Sequence, residues 1–495
     1  MLSSKINFNN HEKIQFLSFF DIETNNTAEN FYQKVFLQTL QNAGIVTDLD
    51  FNQIESFNEF ARPLPYVQVS PGATVINNLA DQLQNNQSHY HCLLKRYQFD
   101  DKFIKQGPVA FVSWNGDEFD LPIDSANKYQ NLLDNFQYFT HGNMHFDLMA
   151  VAISLINFHL DYPFPKTEKG NPAYNLNQTG KIFGIENLKA HDAFEDVKVL
   201  MKVFENFNKF APEFLESGFI NASKKGTAEM LKSGPCLIAD VHYGQHYITP
   251  LMHLWSNNDY AITFNLLRAL NLLDNFTDEQ LSKRISFNHK KDSFIRILKL
   301  KPTHSLMRFN DIDNVEELIF KRFSLSIKTL TERFENLSSN FPLIGRLVRL
   351  GNEAVKANNK NFENLDFNTS EQLVYSRGFI SDHDKDLCKE FHLASSWKDR
   401  WKFIRLFKDS RIRDFAWRLC CEHDIENASE KDQEKWEIFV DRRLSDDATG
   451  LSTKKSLNIA EDLLKDNLNK DQLYQVKKTK EFILNHSQKG GQKNA

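Results

Sequence analysis

Asp21 and Glu23 stand two residues apart at the end of a dense apolar run, residues 13–22. In an extended chain that spacing places both carboxylates on one face. Two acids on a hydrophobic strand are costly unless something positive neutralises them, and oxygen donors suit Mg²⁺ or Mn²⁺. A further acid, Asp120, closes the segment Trp114-Asn115-Gly116-Asp117-Glu118-Phe119-Asp120, directly after the apolar run Val109 to Ser113. It is expected to open a helix, with Phe119 packed beneath it. The third segment, His191-Asp192-Ala193-Phe194-Glu195-Asp196, leads into an amphipathic stretch. Residues five apart on one straight helix point about 140° from each other. His191 is therefore expected in the turn before the helix, with Asp196 on its first turns. A histidine beside an activated water serves as a general base near neutral pH.

Each segment taken singly has a plainer reading: surface acids at a strand end, an N-cap at Asp120, a capping histidine with a dipole-facing acid. Together they supply four carboxylates and one imidazole, the inventory of a two-metal phosphodiester hydrolase. In such a site one ion activates water and the other stabilises the leaving 3′ oxygen, roughly 3.5–4 Å away.

The elements that must position these groups are legible from pattern. Residues 13–22 and Val109 to Trp114 read as strands buried on both faces. Ala193 to Phe207 carries Val197, Leu200, Met201 and Phe204 at helical spacing. Residues 1–211 are thus expected to form an α/β domain. Residues 212–365 are expected to be β-rich, with short runs at Cys236 to His242, Tyr247 to Leu251, Tyr260 to Leu266 and Phe294 to Leu300. The polar segment Ala357 to Ser370 reads as a linker, and 366–495 as helical, with a frayed tail from Gln488.

A chain of 495 residues calls for two to four domains. With 43 Phe against 13 Pro, apolar area is ample and breakers are few. The net charge of −5 excludes coating nucleic acid by bulk charge, yet leaves room for a local basic groove. Five cysteines in no zinc pattern suit a reducing cytoplasm. No apolar leader follows Met1, and the longest apolar stretch, Leu148 to Ile156, is about half a membrane span. The expectation is a soluble cytoplasmic protein with no membrane contact. Phosphate-cradling glycine loops, nucleophile elbows and His-Glu-x-x-His are missing.

Asp21-x-Glu23, Asn115…Phe119-Asp120 and His191…Asp196 resemble the DEDDh exonuclease superfamily, and within it the bacterial exodeoxyribonuclease I family. Ser70-Pro71-Gly72-Ala73, Pro172-Ala173-Tyr174-Asn175-Leu176, Gly184-Ile185-Glu186 and Ala190-His191-Asp192-Ala193 support this. So do Cys236 to Asp240, Pro250-Leu251, Tyr375 to Phe379, Ser381-Asp382, Trp436 and Arg442-Arg443, so that the resemblance covers nearly the full length loosely. It implies a ribonuclease-H-like exonuclease domain, an SH3-like β-rich domain and an all-helical C-terminal domain. It also implies processive 3′→5′ removal of 5′-mononucleotides from single-stranded DNA, in repair and recombination. By the resemblance, Asp21, Glu23, Asp120 and Asp196 hold two Mg²⁺ ions, which Mn²⁺ can replace, and His191 is the base. Glu23, Thr24, Asn115, Phe119 and Asn175 face the substrate. The partners implied are single-stranded DNA and the acidic tail of single-strand-binding protein, for a monomeric enzyme. The chain departs from the pattern at Asn175, after Asp120 and near Ile153, where an Arg is expected; each loss removes a phosphate contact.

Single strands are held by cations along the backbone and by aromatic faces. Residues 398–418 hold eight basic and three acidic residues, with Trp397, Trp401 and Trp417 beside them. This run is a candidate DNA track; its plainer reading is a helix with core aromatics and a solvated charged face. Lys224-Lys225 and Lys290-Lys291 are lesser candidates. Trp114, Phe136 and Tyr138 are candidates for stacking near the acids, with core packing as the alternative. Two other readings share the acidic motifs: an RNA 3′-trimming exonuclease, and a catalytically silent strand-binding scaffold.

Overall fold

The computed structural model describes residues 14–27, 31–167, 170–185, 191–242, 245–288, 290, 292–302, 305–360, 369–375 and 378–491. The first apolar run is β1 (Phe16–Thr24). It pairs antiparallel with β2 (Thr39–Thr47), which pairs antiparallel with β3 (Gln53–Phe60). On its other side β1 runs parallel to β4 (Val109–Ser113), and β4 parallel to β5 (Met144–Asp147). The sheet order is β3-β2-β1-β4-β5. Every residue of β4 is buried, which explains its unbroken apolar sequence.

Helices cover this sheet: α1 (His89–Ile104), α2 (Asp120–Gln130), α3 (Leu148–Phe158) and α4 (Ala193–Phe210). α4 lays Val197, Leu200, Val203, Phe204 and Phe207 into the core. Each side chain buried in this way stabilises by about 1.5–3 kcal/mol. Phe204 meets Phe19 of β1 edge-on, with ring centroids 5.6 Å apart. The position of α4 over β1 follows from that stripe.

After helices Pro212–Ile220 and Lys224–Lys232 comes a second sheet. Its strands are β6 (Cys236–His242), β7 (Gln245–Ser256), β8 (Tyr260–Asn265), β9 (Ile285–Ser286), β10 (Ile295–Lys299) and β11 (Leu306–Arg308), in the order β11-β6-β7-β8-β10-β9. All four β-prone runs of the sequence fall in it. The two sheets share one apolar cluster, joined where Phe146 stacks on Phe219 at 4.2 Å. The core is therefore continuous across residue 211.

The linker expectation needs correcting at its start. Ala357 to Lys360 form the last turn of α5 (Phe341–Lys360), whose Leu347 and Leu350 are buried. A helix anchored by an apolar stripe extends through polar residues because each added residue gains a hydrogen bond. Residues 361–368 lie outside the described residues. The remainder is mostly helical, including α6 (Asp382–Leu393), α7 (Ser410–Asp424), α8 (Glu430–Ser445), α9 (Thr453–Leu463) and α10 (Lys470–Gly491). The tail expected from Gln488 is helical to Gly491; 492–495 lie outside the described residues.

The C-terminal helices return to the first sheet. Thr479 Oγ1 lies 2.8 Å from Thr74 Oγ1, 405 residues away in sequence. The Gln475 amide oxygen accepts from Ala80 N at 2.9 Å, and Ser456 Oγ donates to Val69 O at 2.6 Å. Phe482 and Ile483 pack with Leu40, Val69, Leu79 and Leu83. Buried Glu371 accepts from Arg418 at 2.6 Å and Arg443 at 2.7 Å. The five cysteines are buried and unpaired. Among the described residues, no helix is long and apolar enough to cross a membrane.

Candidate active site

The period-2 alternation of β1 leaves Asp21 and Glu23 half-buried between the buried Phe20, Ile22 and Thr24. The register to β2 slips after Glu23: Glu23 faces Gln41, while Thr24 faces Thr39. Such a bulge ends regular pairing and re-aims the side chains beside it. Gln41, opposite Glu23, reaches across to the start of α4. Its amide nitrogen donates to Asp192 Oδ1 at 3.2 Å, and its amide oxygen accepts from Ala193 N at 3.2 Å.

Asp192 caps α4, accepting from Phe194 N and Glu195 N. His191 stands in the preceding turn with φ +66°, a left-handed conformation that histidine adopts more readily than most residues. Its backbone N–H donates to Asp196 Oδ2 at 3.1 Å. The sequence geometry expected for this pair is thus the geometry found. Glu23, His191 and Asp196 each offer a ligand atom, all within 4.8 Å of one another. His191 is exposed and Asp196 is buried. Asn177 donates to Asp196 Oδ1 at 3.3 Å, and the Asn77 amide hydrogen-bonds the Glu23 carboxylate.

Asp120 is the first residue of α2 and is 3% exposed; Phe119, not Asp120, holds the N-cap position. Burial, then the charges of Asp120, Glu23 and Asp196, pushes the Asp21 carboxyl well above its ordinary range. Burial and the charges of Asp196 and Asp120 do the same to Glu23. Burial lifts Asp120 to about 7, against the opposing pull of His145. The acids of all three segments therefore feel one another, and among the described residues no Lys or Arg is one of the groups acting most strongly on these three. A divalent cation fits this donor set: oxygen ligands and excess negative charge, with an exposed imidazole beside them.

The remaining expected residues divide. Asn115 sits in the β4–α2 loop at φ +62°, its N–H donating to Asp147 Oδ1 at 2.9 Å. Phe119 is half-buried against Ile22, Leu37 and Ile123. Thr24 is buried, its hydroxyl donating to Asn26 O at 2.7 Å. Asn175 is exposed and caps helix Leu176–Ile182, its Oδ1 accepting from Gln178 N at 3.2 Å. Trp114 donates its indole N–H to Tyr174 O at 2.8 Å. Phe136 is exposed and meets Phe379 edge-on at 5.3 Å. Tyr138 is buried and stacked on Phe111 at 4.1 Å, so it is core and cannot stack on a base.

The basic run at 398–418 keeps five of its eight cations exposed and buries the other three. Arg400 is buried and donates to Phe391 O at 2.9 Å. Arg411 is buried against Asp409 and Leu373 O, and Arg418 against Glu371 and Asp414. Trp417 is core. These guanidiniums hold the helical region together, and Lys398, Lys402, Arg405, Lys408 and Arg413 form its exposed part. Lys224 and Lys225 are exposed and face Asp259 and Glu229. Lys290 is exposed; Lys291, Glu186 to Ala190, Ser376 and Arg377 lie outside the described residues.

Sequence reasoning missed Gln41, Asn77, Asn177 and the capping role of Asp192. The last had a signal, an Asp directly before a helical pattern. Asn77 and Gln41 are brought to Glu23 only by tertiary pairing.

Residues 368–485 match the family model described as Exonuclease I C-terminal domain. Exodeoxyribonuclease I of Buchnera aphidicola subsp. Acyrthosiphon pisum (strain APS) is 23% identical over 394 residues, 76% of this chain and 91% of the relative. The zinc-bound E. coli ExoI–ssDNA complex has a TM-score of 0.75 at 16% identity, covering 96% of this chain and 100% of the other. The SSB/Exonuclease I structure in complex with inhibitor CFAM has a TM-score of 0.74 at 16% identity, covering 96% and 100%. The shared fold is thus the whole α/β and helical arrangement.

Proposed function

We propose that the chain is an exonuclease of the exodeoxyribonuclease I family, metal-dependent and removing mononucleotides from the 3′ end of single-stranded DNA; its likeness to the exodeoxyribonuclease I relatives supports this reading. The observation that carries this reading is the cluster at one end of β1, where Glu23, His191 and Asp196 offer ligand atoms within 4.8 Å of one another and Asp21 and Asp120 are coupled to it electrostatically.

Asp21, Glu23, Asp120 and Asp196 are the residues that would hold two Mg²⁺ ions, with Mn²⁺ able to replace them. When bound, such ions supply charge neutralisation at the phosphodiester and lower the pKa of water. His191, exposed at the edge of the cluster, takes the proton from the attacking water. Its left-handed turn and the N–H bond to Asp196 fix where the imidazole begins. Asn115, Phe119, Thr24 and Asn175 flank the position of the terminal nucleotide, with Glu23 facing the 3′ end. The change from the first sheet to the second and then to helices supports a three-part division near 211 and 365, with the β-rich part taken as SH3-like. The enzyme acts as a cytoplasmic monomer in repair and recombination, alongside SSB.

The test is a time course on 5′-labelled oligonucleotides with Mg²⁺ and with chelator. Single-stranded DNA should shorten from its 3′ end only with metal, and double-stranded DNA far more slowly. An RNA oligomer cut faster than DNA would turn the reading to RNA trimming. Strand binding without mononucleotide release at any metal concentration would leave a silent scaffold.

A further inference from the structure

Asp120 reaches the site on a loop, residues 114–119, that leaves β4 and turns into α2. Beneath this loop lies a buried polar cluster that the hydrolysis itself does not use. β4 and β5 pair Phe111 with His145 and Ser113 with Asp147. The His145 imidazole has no solvent exposure. Its Nε2 lies 2.8 Å from Ser113 Oγ, and its Nδ1 lies 2.9 Å from Asp117 Oδ1. One ring therefore ties the end of β4 to the middle of the loop. Asp147 adds a second tie, its Oδ1 accepting from Asn115 N at 2.9 Å and Met149 N at 3.0 Å.

The loop backbone rests directly on this cluster. A Cβ added at Gly116 would stand 1.8 Å from Ser113 Oγ and 3.0 Å from His145 Nε2, so only glycine passes here. From that point the chain turns straight into the helix. Phe119 N bonds to Asn115 O at 3.2 Å, and Leu121 N bonds to Gly116 O at 2.9 Å. Asp120 is the residue between them. A displacement of about 1 Å in a reacting group is enough to cost a large part of a rate. Groups that hold a metal ligand in place typically change metal affinity or activity about 10- to 100-fold when removed.

We propose that His145 and Asp117 are positioning residues: the buried imidazole, held between Ser113 and Asp117, fixes the β4–α2 loop and thereby the place of Asp120. This rests on the nuclease reading above. Neither residue touches the substrate in this scheme; both act through the loop.

Asp117→Ala is the principal test, because Asp117 is partly exposed on a loop (23% of its side chain) and its loss leaves the core intact. Mn²⁺ binding by calorimetry, the melting temperature, and kcat and KM on single-stranded DNA are measured together. Asp117→Ala should weaken Mn²⁺ binding and lower kcat about 10- to 100-fold, leaving KM unchanged. Asp117→Asn keeps an oxygen that can accept from Nδ1–H and should recover most of both. Should Asp117→Ala melt early, Ser113→Ala tests the other end of the ring, with a smaller loss in the same direction. Native Mn²⁺ affinity and kcat in folded Asp117→Ala, beside an active wild type, would overturn the brace alone. A wild type that neither binds Mn²⁺ nor cuts DNA overturns the nuclease reading and the brace with it.

Discussion

Four acids gathered at the end of β1 repel one another until a cation arrives, and this has a measurable pH signature. Asp120 is raised to about 7, and Asp21 and Glu23 are raised as well. The unfolded chain releases these protons near pH 4. Between about pH 4 and about pH 7 the folded state without metal binds more protons than the unfolded state, so its stability falls as pH rises. Below that window the penalty is absent, and above it the contribution of Asp120 is complete. Thermal melts in EDTA across the window should show this fall, and Mg²⁺ should flatten it. Parallel curves with and without Mg²⁺ would count against a metal at this cluster. His191 is exposed, so His191→Ala should lower the melting temperature only by the small cost of alanine in a left-handed turn, while lowering the rate about 10²–10⁴-fold. Asp21→Ala should abolish most activity in the same assay. Asp21, Glu23 and the His191 turn were readable because strand and helix periods fix direction locally. His145 and Asp117 were not, since only the pairing of β4 with β5 brings them together.

At the scale of elements, α4 delivers Asp196 and is held at its start by Asp192 and Gln41. Asp192→Ala removes a cap and should cost about 1 kcal/mol. It should also slow the reaction, because the turn carrying His191 loses its anchor to β2. Circular dichroism melts with a rate measurement check both; a rate unchanged in a destabilised variant would separate the cap from the site. Strands β1 and β4 and helix α4 were legible as apolar runs of distinct period. The end of α5 was not, because Asn-rich composition looks like a linker when the stripe at Leu347 and Leu350 that anchors the helix lies upstream. The burial of Arg400, Arg411 and Arg418 within the basic run at 398–418 was not legible for a related reason. Glu371, the buried partner of Arg418, lies well before it, and pairing of that kind leaves no local pattern.

Across the whole molecule, Glu371 joins Arg418 of α7 to Arg443 of α8 in the buried interior. The two guanidiniums hold its carboxyl far below the usual range. Glu371→Ala would strand both cations and should cost about 3–5 kcal/mol, read as a drop in denaturation midpoint. A loss within a few tenths would mean that water replaces the carboxylate. The sequence pattern gave no sign that the last helices fold back on the first residues. That return has a consequence for biosynthesis. On a ribosome, β1, α2 and α4 can assemble and gather the acids while α10 is still unmade. Until Phe482 and Ile483 arrive, Leu40, Val69, Leu79 and Leu83 lack their cover. Nascent chains stalled before the final helix would carry a nearly finished cutting centre and an adhesive patch, making them natural clients for a chaperone.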